Sequence, residues 1–246
     1  MKNTIDYVLY KNTVGDDKPN EDIIAINNGI GCVLDGVSRD RENGIYPYPS
    51  PATDASQIFA NEIISDEAIL GNGLVKLQTK VLNGNSAIAE YNSVLKHRFP
   101  AGTVGVVFSI EDDLFNYCYI GDCYAMIIRD DKRKVFTEVQ TKMIANREKG
   151  QFTSDEIRFD ICNHISNPYG YGVWDGNEAA MDFVKYGVIK IRPGDLILIY
   201  TDGLAREMEE KSNKSLLTES LENLFGNNKN KGMDDRSCLR ITVKGE

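Results

Sequence analysis

The chain has 246 residues, long enough for one large domain with a sizeable apolar core. Its formal net charge of −9 speaks against a nucleic-acid backbone as partner, while a phosphorylated ligand stays compatible wherever a bound dication inverts the local potential. No apolar run is long enough to span a bilayer, and the opening residues MKNTIDYVLYKN carry no apolar signal region. The expectation is therefore a soluble, cytoplasmic protein with no membrane partner.

Strands are predicted over Thr4–Tyr10, Ile23–Ile26 and Ile30–Leu34, the last two joined as a hairpin through Asn27, Asn28 and Gly29. The Pro- and Tyr-rich stretch Gly44–Pro51 reads as a loop. From Thr53 the apolar period lengthens. Ile58, Phe59, Ile63 and Ile64 form one helical stripe, and Leu74, Leu77, Val81, Ile88, Tyr91 and Leu95 form a second despite Gly84. Strands return at Thr103–Ile110, Leu114–Ile120, Tyr124–Arg129 and Val135–Val139, with short acidic turns between them, which predicts a meander. Residues 141–182 are polar and irregular and read as surface loops with one short helix. Met181–Ile191 and Leu196–Tyr200 then meet at the turn Arg192-Pro193-Gly194-Asp195 as a further strand pair. A helix over Ser215–Phe225 and a closing strand with Leu239, Ile241 and Val243 on one face complete the chain. Hairpins of strands and blocks of helices point to two antiparallel sheets with helices on their outer faces, an α+β class. No P-loop and no Gly-rich turn between a strand and a helix is present.

Cys32, Cys118, Cys123, Cys162 and Cys238 are odd in number, form no Cys-x-x-Cys pair and mostly lie in apolar runs. They read as buried free thiols. With only His97 and His164, a histidine-rich zinc centre is not expected.

The chemistry resides in aspartates. Asp35, Asp202 and Asp234 each stand at the edge of an apolar run, IGCVLDG, GDLILIYTDG and DDRSCLRITV respectively, and Asp122 follows a fourth, YCYIG. Strand ends brought together in this way make an all-oxygen pocket suited to Mg²⁺ or Mn²⁺. Gathered carboxylates repel one another and raise each other's proton affinity, and a dication removes that penalty. The competing reading is a set of solvated turn acids in a chain with 37 Asp and Glu.

The ordered segments Asn20-Glu21-Asp22, VLDGV (33–37), AGTVGVV (101–107), YIGDCYA (119–125), IRPGDLILIYTDGL (191–204) and MDDRS (233–237) resemble the successive motifs of the PP2C-type (PPM) metal-dependent protein serine/threonine phosphatases, bacterial members in particular. The resemblance runs over nearly the whole chain. It implies a single domain over residues 1–246 with the α-β-β-α sandwich of that family, residues 141–182 being a variable loop or flap. It also implies two Mn²⁺ or Mg²⁺ ions, with Asp35 bridging them, the Gly36 carbonyl on the second ion, and Asp202 and Asp234 on the first. Asp122 would join Asp202 at a third, weaker ion. Glu21 and Asp22 would orient metal-bound waters, with Asp235 beside the ligands. The implied reaction is hydrolysis of phosphoserine or phosphothreonine by a metal-bridging water or hydroxide, on a phosphoprotein made by a cognate kinase. A proton for the leaving group would come from a metal-bound water or from His164. Gly102-Thr103 is expected to pack rather than react.

The departures from that pattern bear on substrate handling. Bacterial relatives carry an arginine before Asn-Glu-Asp that grips the phosphate, where this chain has Gly15-Asp16-Asp17-Lys18-Pro19. Lys18 is the candidate replacement, a point charge in place of a two-pronged donor. Gly121-Asp122-Cys123-Tyr124 and Thr141-Lys142-Met143-Ile144 likewise depart from Gly-Asp-Ser-Arg and Thr-x-Asp-His. Two alternatives stay open, a small-molecule phosphomonoester hydrolase and a weakly active PP2C-like module that binds a partner. The flap is expected to offer Arg147, Arg158, Tyr169, Tyr171 and Trp174 to a substrate.

Overall fold

The computed structural model describes residues 3–12, 19–37, 46–66, 71–148, 150–226 and 234–245; Lys18 and the loop before Asp234 lie outside them. In chain order the elements are β1 (Asn3–Asn12), β2 (Ile23–Asn27), β3 (Ile30–Gly36), α1 (Pro51–Ile64), α2 (Gly73–Val94), β4 (Thr103–Glu111), β5 (Leu114–Ile120), β6 (Tyr124–Arg129) and β7 (Lys132–Val135). After the short α3 (Lys142–Ala145) and two irregular helical turns come β8 (Lys185–Lys190), β9 (Leu196–Tyr200), α4 (Ala205–Glu210), α5 (Asn213–Thr218), α6 (Leu221–Phe225) and β10 (Arg236–Gly245).

The strands form two five-stranded antiparallel sheets, in the orders β1-β10-β9-β6-β7 and β2-β3-β4-β5-β8. Alternation along the first sheet divides its side chains between two cores. Ala125, Ile127, Ile197, Ile199, Leu239, Ile241 and Val243 join the core shared with the second sheet. Met126, Ile128, Leu196, Leu198, Tyr200 and Cys238 instead pack with Leu204, Met208, Leu216, Leu221, Leu224 and Phe225 from the α4–α6 region. The second sheet is covered by α1 and α2, whose Phe59, Ile63, Leu77, Val81 and Ile88 are fully buried. The α-β-β-α sandwich is thus the observed architecture.

Local sequence explains several boundaries. Asn28 and Gly29, both at positive φ (47° and 77°), make the two-residue turn between β2 and β3 that suits the twist of a hairpin. Ser50 caps α1 by accepting the Thr53 N–H, and Pro51 opens the helix. All five cysteines are buried free thiols.

Several expectations are corrected. The meander does not continue through one sheet: β4 and β5 pair in the second sheet, whereas β6 and β7 pair in the first. The chain therefore changes sheets at Gly121-Asp122-Cys123. Likewise β8 pairs with β5 and β9 with β10 and β6, so Arg192-Pro193-Gly194-Asp195 is a crossover and not a hairpin turn. Asp195 holds this crossover by accepting the Arg129 Nε–H at 2.8 Å. Finally, the predicted helix over Ser215–Phe225 is two short helices, because Ser220 caps α6 by accepting the Asn223 N–H. The strand predicted at Val135–Val139 lies earlier, at Lys132–Val135, and residues 178–183 form a 3₁₀ turn before β8.

Candidate metal centre

Register brings the candidate residues to one end of the sandwich. Tyr200 pairs with Cys238 on one side and Tyr124 on the other. Asp202 just beyond β9, Asp234 just before β10 and Asp122 just before β6 therefore leave the same end of the first sheet. From the second sheet, Asp35 near the end of β3 pairs with Val104. Together Asp35, Gly36, Asp122, Asp202 and Asp234 line a pocket of about 410 Å³, which Thr141, Arg147, Ser154, Arg158 and Tyr171 also line.

The backbone is fixed by close contacts. A Cβ at Gly203 would lie 2.0 Å from the Asp235 carbonyl oxygen, so only glycine lets the Asp202 turn touch the Asp234-Asp235 segment. A Cβ at Gly36 would lie 2.8 Å from Glu21 Cβ and 3.0 Å from the Ala52 carbonyl oxygen, which seats this glycine against the Asn-Glu-Asp segment. Thr103 Oγ1 donates to the Asp35 carbonyl at 2.9 Å and receives the Ser56 hydroxyl at 3.0 Å.

Behind the pocket lies a second layer of acids. Glu21, Asp22 and Asp235 are buried. Asp235 Oδ2 accepts the Glu21 N–H at 2.9 Å, and the hydroxyls of Tyr46 and Ser50 donate to Glu21 Oε1. Thr201 Oγ1 donates to Asp22 Oδ2 at 2.9 Å and accepts the Ser237 N–H at 3.0 Å. Further back, Arg236 is fully buried and donates to Glu207 Oε2 at 2.6 Å. At the crossover, Thr141 Oγ1 donates to Asp122 Oδ2 at 3.1 Å.

Electrostatics follow from this crowding. Burial, and then the charges of Asp22, Asp202, Asp122 and Asp234, hold the Asp35 carboxyl well above the usual carboxylate range. Asp22 is pushed up to about 7, by burial first, with the Ser237 and Thr201 hydroxyls opposing and the charges of Asp235 and Asp234 adding to the rise. Burial raises Asp122 as well, against the Thr141 hydrogen bond. An all-oxygen, mutually repelling donor set of this kind fits a hard divalent cation in its chemistry. Among the described residues, no three His, Cys, Asp or Glu side chains are gathered closely enough to clasp an ion, so the carboxylates line the pocket as an open set.

The irregular segment does border the pocket, but not through all the residues expected of it. Arg147, Arg158 and Tyr171 line it. Trp174 instead is fully buried and stacks on Phe59 with ring centroids 4.4 Å apart, while Tyr169 packs edge-on against Phe152. His164 is exposed and is not among the pocket's lining residues. Sequence pattern alone gives no role to Tyr46, Ser50, Thr201 or Ser237. A hydroxyl beside a motif acid, as at Thr201-Asp202, is the only local signal.

No family model and no curated protein matches the sequence. Solved structures do. The serine/threonine phosphatase PstP/Ppp of Mycobacterium tuberculosis superposes with a TM-score of 0.73 at 20% identity, covering 98% of this chain and 99% of that one. The catalytic domain of PstP in complex with two manganese ions gives 0.72 at 21% identity, covering 99% and 100%. The S. agalactiae serine/threonine phosphatase gives 0.65 at 15% identity, covering 98% and 100%. This chain has the PP2C-type fold. At these identities the likeness establishes the fold, two central antiparallel sheets flanked by helices. Among the described residues, no helix is long and apolar enough to cross a membrane.

Proposed function

We propose that the chain is a member of the PP2C-type (PPM) family and a metal-dependent phosphatase acting on phosphoserine and phosphothreonine in proteins. The observation that carries the reading is the meeting of Asp35, Asp122, Asp202 and Asp234 from separate strand ends in one pocket of a PP2C-type fold. Similarity to bacterial serine/threonine phosphatases, one of them with two manganese ions, supports it.

In this reading Asp35 and the Gly36 carbonyl, with Asp202 and Asp234, hold two Mn²⁺ or Mg²⁺ ions, and Asp122 with Asp202 a third. Bound there, the ions supply Lewis-acid charge to phosphoryl oxygens and lower the pKa of water. The protein's own part is to fix the donors. The β3 ladder and Thr103 hold Asp35, the Gly203–Asp235 contact locks two ligand-bearing turns together, and Asp235 and Glu21 brace them from behind through the Glu21 N–H. Thr141 orients Asp122. Lys18 as a phosphate contact, and a phosphoprotein partner in the cytoplasm, remain part of the proposal.

The test is release of phosphate from phosphopeptides in Mn²⁺, abolished by a chelator and by Asp202→Asn. Turnover of phosphorylated metabolites with none on phosphopeptides would replace the protein substrate by a small one. The altered motifs at Lys18, Cys123 and Met143 support a second reading, a weakly active module that binds a phosphoprotein through the same face. Tight phosphopeptide binding without phosphate release would select it.

A further inference from the structure

Two arginines give the pocket a cationic side. Arg147 follows α3 and Arg158 sits in the helical turn of residues 154–161, and both line the cavity that the four aspartates line. Local structure places them. Arg147 Nη1 donates to the Ile144 carbonyl at 2.6 Å, using one of five guanidinium N–H donors. The turn bearing Arg158 is closed at its start by reciprocal bonds, Thr153 N–H to Glu156 Oε2 at 2.7 Å and Glu156 N–H to Thr153 Oγ1 at 3.2 Å, the pattern of a capping box. An Asp155–Arg98 ion pair ties the same turn to the segment after α2. Tyr171, which lines the same cavity, is raised first by burial, with Asp122 adding to the rise and the guanidiniums of Arg158 and Arg147 opposing it, so both arginines lie within electrostatic reach of the aspartate pocket.

We propose that Arg147 and Arg158 form an anion subsite for a second negative group of the substrate, a carboxylate or another phosphoryl group close in sequence to the phosphate being removed. The preferred substrates are then acidic or doubly phosphorylated phosphopeptides. This rests on the phosphatase reading above. The physical reason is complementarity: a guanidinium fork matches the paired oxygens of carboxylate and phosphate. A chain of net charge −9 repels acidic peptides in general, so a local pair of arginines decides which of them are admitted.

The experiment uses the full chain with Mn²⁺ and three phosphopeptides of one sequence, with neutral, glutamate or phosphoserine residues beside the scissile phosphoserine. The wild type should favour each acidic peptide over the neutral one in kcat/KM on the order of tenfold. Arg147→Gln and Arg158→Gln, each verified as folded by thermal melting, should bring that ratio toward one, and Arg→Lys should restore part of it. The glutamate and phosphoserine arms tell which anion is taken. An unchanged ratio in both variants overturns the proposal, as does a wild type without preference. Equal loss on all three peptides also overturns it, since the arginines would then grip the scissile phosphate itself. Calorimetric binding of the corresponding non-hydrolysable phosphonate peptides separates this failure from that of the phosphatase reading. A protein that hydrolyses nothing but binds the acidic phosphonates on the order of tenfold more tightly than its arginine variants keeps the subsite, and equal binding rejects it.

Discussion

The two sides of the pocket are built by different means. The aspartates stand at the ends of strands whose positions are set by ladders running through both sheets, so moving one of them means shifting the register of a whole strand. The facing residues of 141–182 are placed by short-range devices: a one-turn helix, an irregular turn with a capping box, and single side-chain bonds such as Thr141 to Asp122. The strand ends make a rigid frame for an ion. The irregular segment makes an adjustable one for whatever surrounds the phosphate.

The largest effect expected tests the rigidity of the frame. Glu207→Ala would remove the carboxylate that meets the buried Arg236 guanidinium, at a cost of about 3–5 kcal/mol. Chemical denaturation should show it, and an effect under 1 kcal/mol would mean that the pair does not brace the Asp234-Asp235 segment. Next comes the ion. At a hundredfold excess over its dissociation constant, Mn²⁺ should stabilise the protein by about 2.7 kcal/mol. Asp35→Asn and Asp202→Asn should abolish that gain in thermal melts, and equal gains in wild type and variants would remove these residues as ligands.

A smaller effect comes from Asp22. Its carboxyl is held above its ordinary value, so between about pH 4 and 7 the folded chain keeps a proton that the unfolded chain has released. Stability of the metal-free protein therefore falls as pH rises through that window. Asp22→Asn should raise the melting temperature in chelator at pH 8 by a few degrees, about 1 kcal/mol being worth roughly 2–4 °C at this length. The gain should shrink toward pH 4.5. A gain independent of pH would show that titration is not its origin. The smallest effect should lie in the irregular segment, where Thr153→Ala removes a cap worth about 1 kcal/mol. It should speed amide exchange in residues 154–161 while leaving Mn²⁺ affinity unchanged. A change in metal affinity would show that the two sides of the pocket are coupled.

Much was legible in the sequence by itself. Strand and helix periods placed β5, β6 and β9 to the residue and α1 and α2 within two, because apolar spacing reports directly which face a residue must bury. The same spacing put the aspartates at strand ends, and the ordered motifs pointed to the PP2C-type sandwich. What only tertiary structure decided was partnership. A ladder of backbone hydrogen bonds carries no side-chain signature, so nothing local shows that β6 leaves the sheet of β5 or that β8 and β9 part company at Asp195. Burial of charge is equally silent. Lys80 is buried because the last turn of α1 offers it the Glu62 and Ser65 carbonyls at 3.2 and 2.9 Å, and Arg236 because Glu207 meets it from α4. Trp174, expected at the surface of the flap, is core because Phe59 lies beneath it. In each instance the deciding contact lies far away in sequence, where only the assembled sheets and helices can supply it.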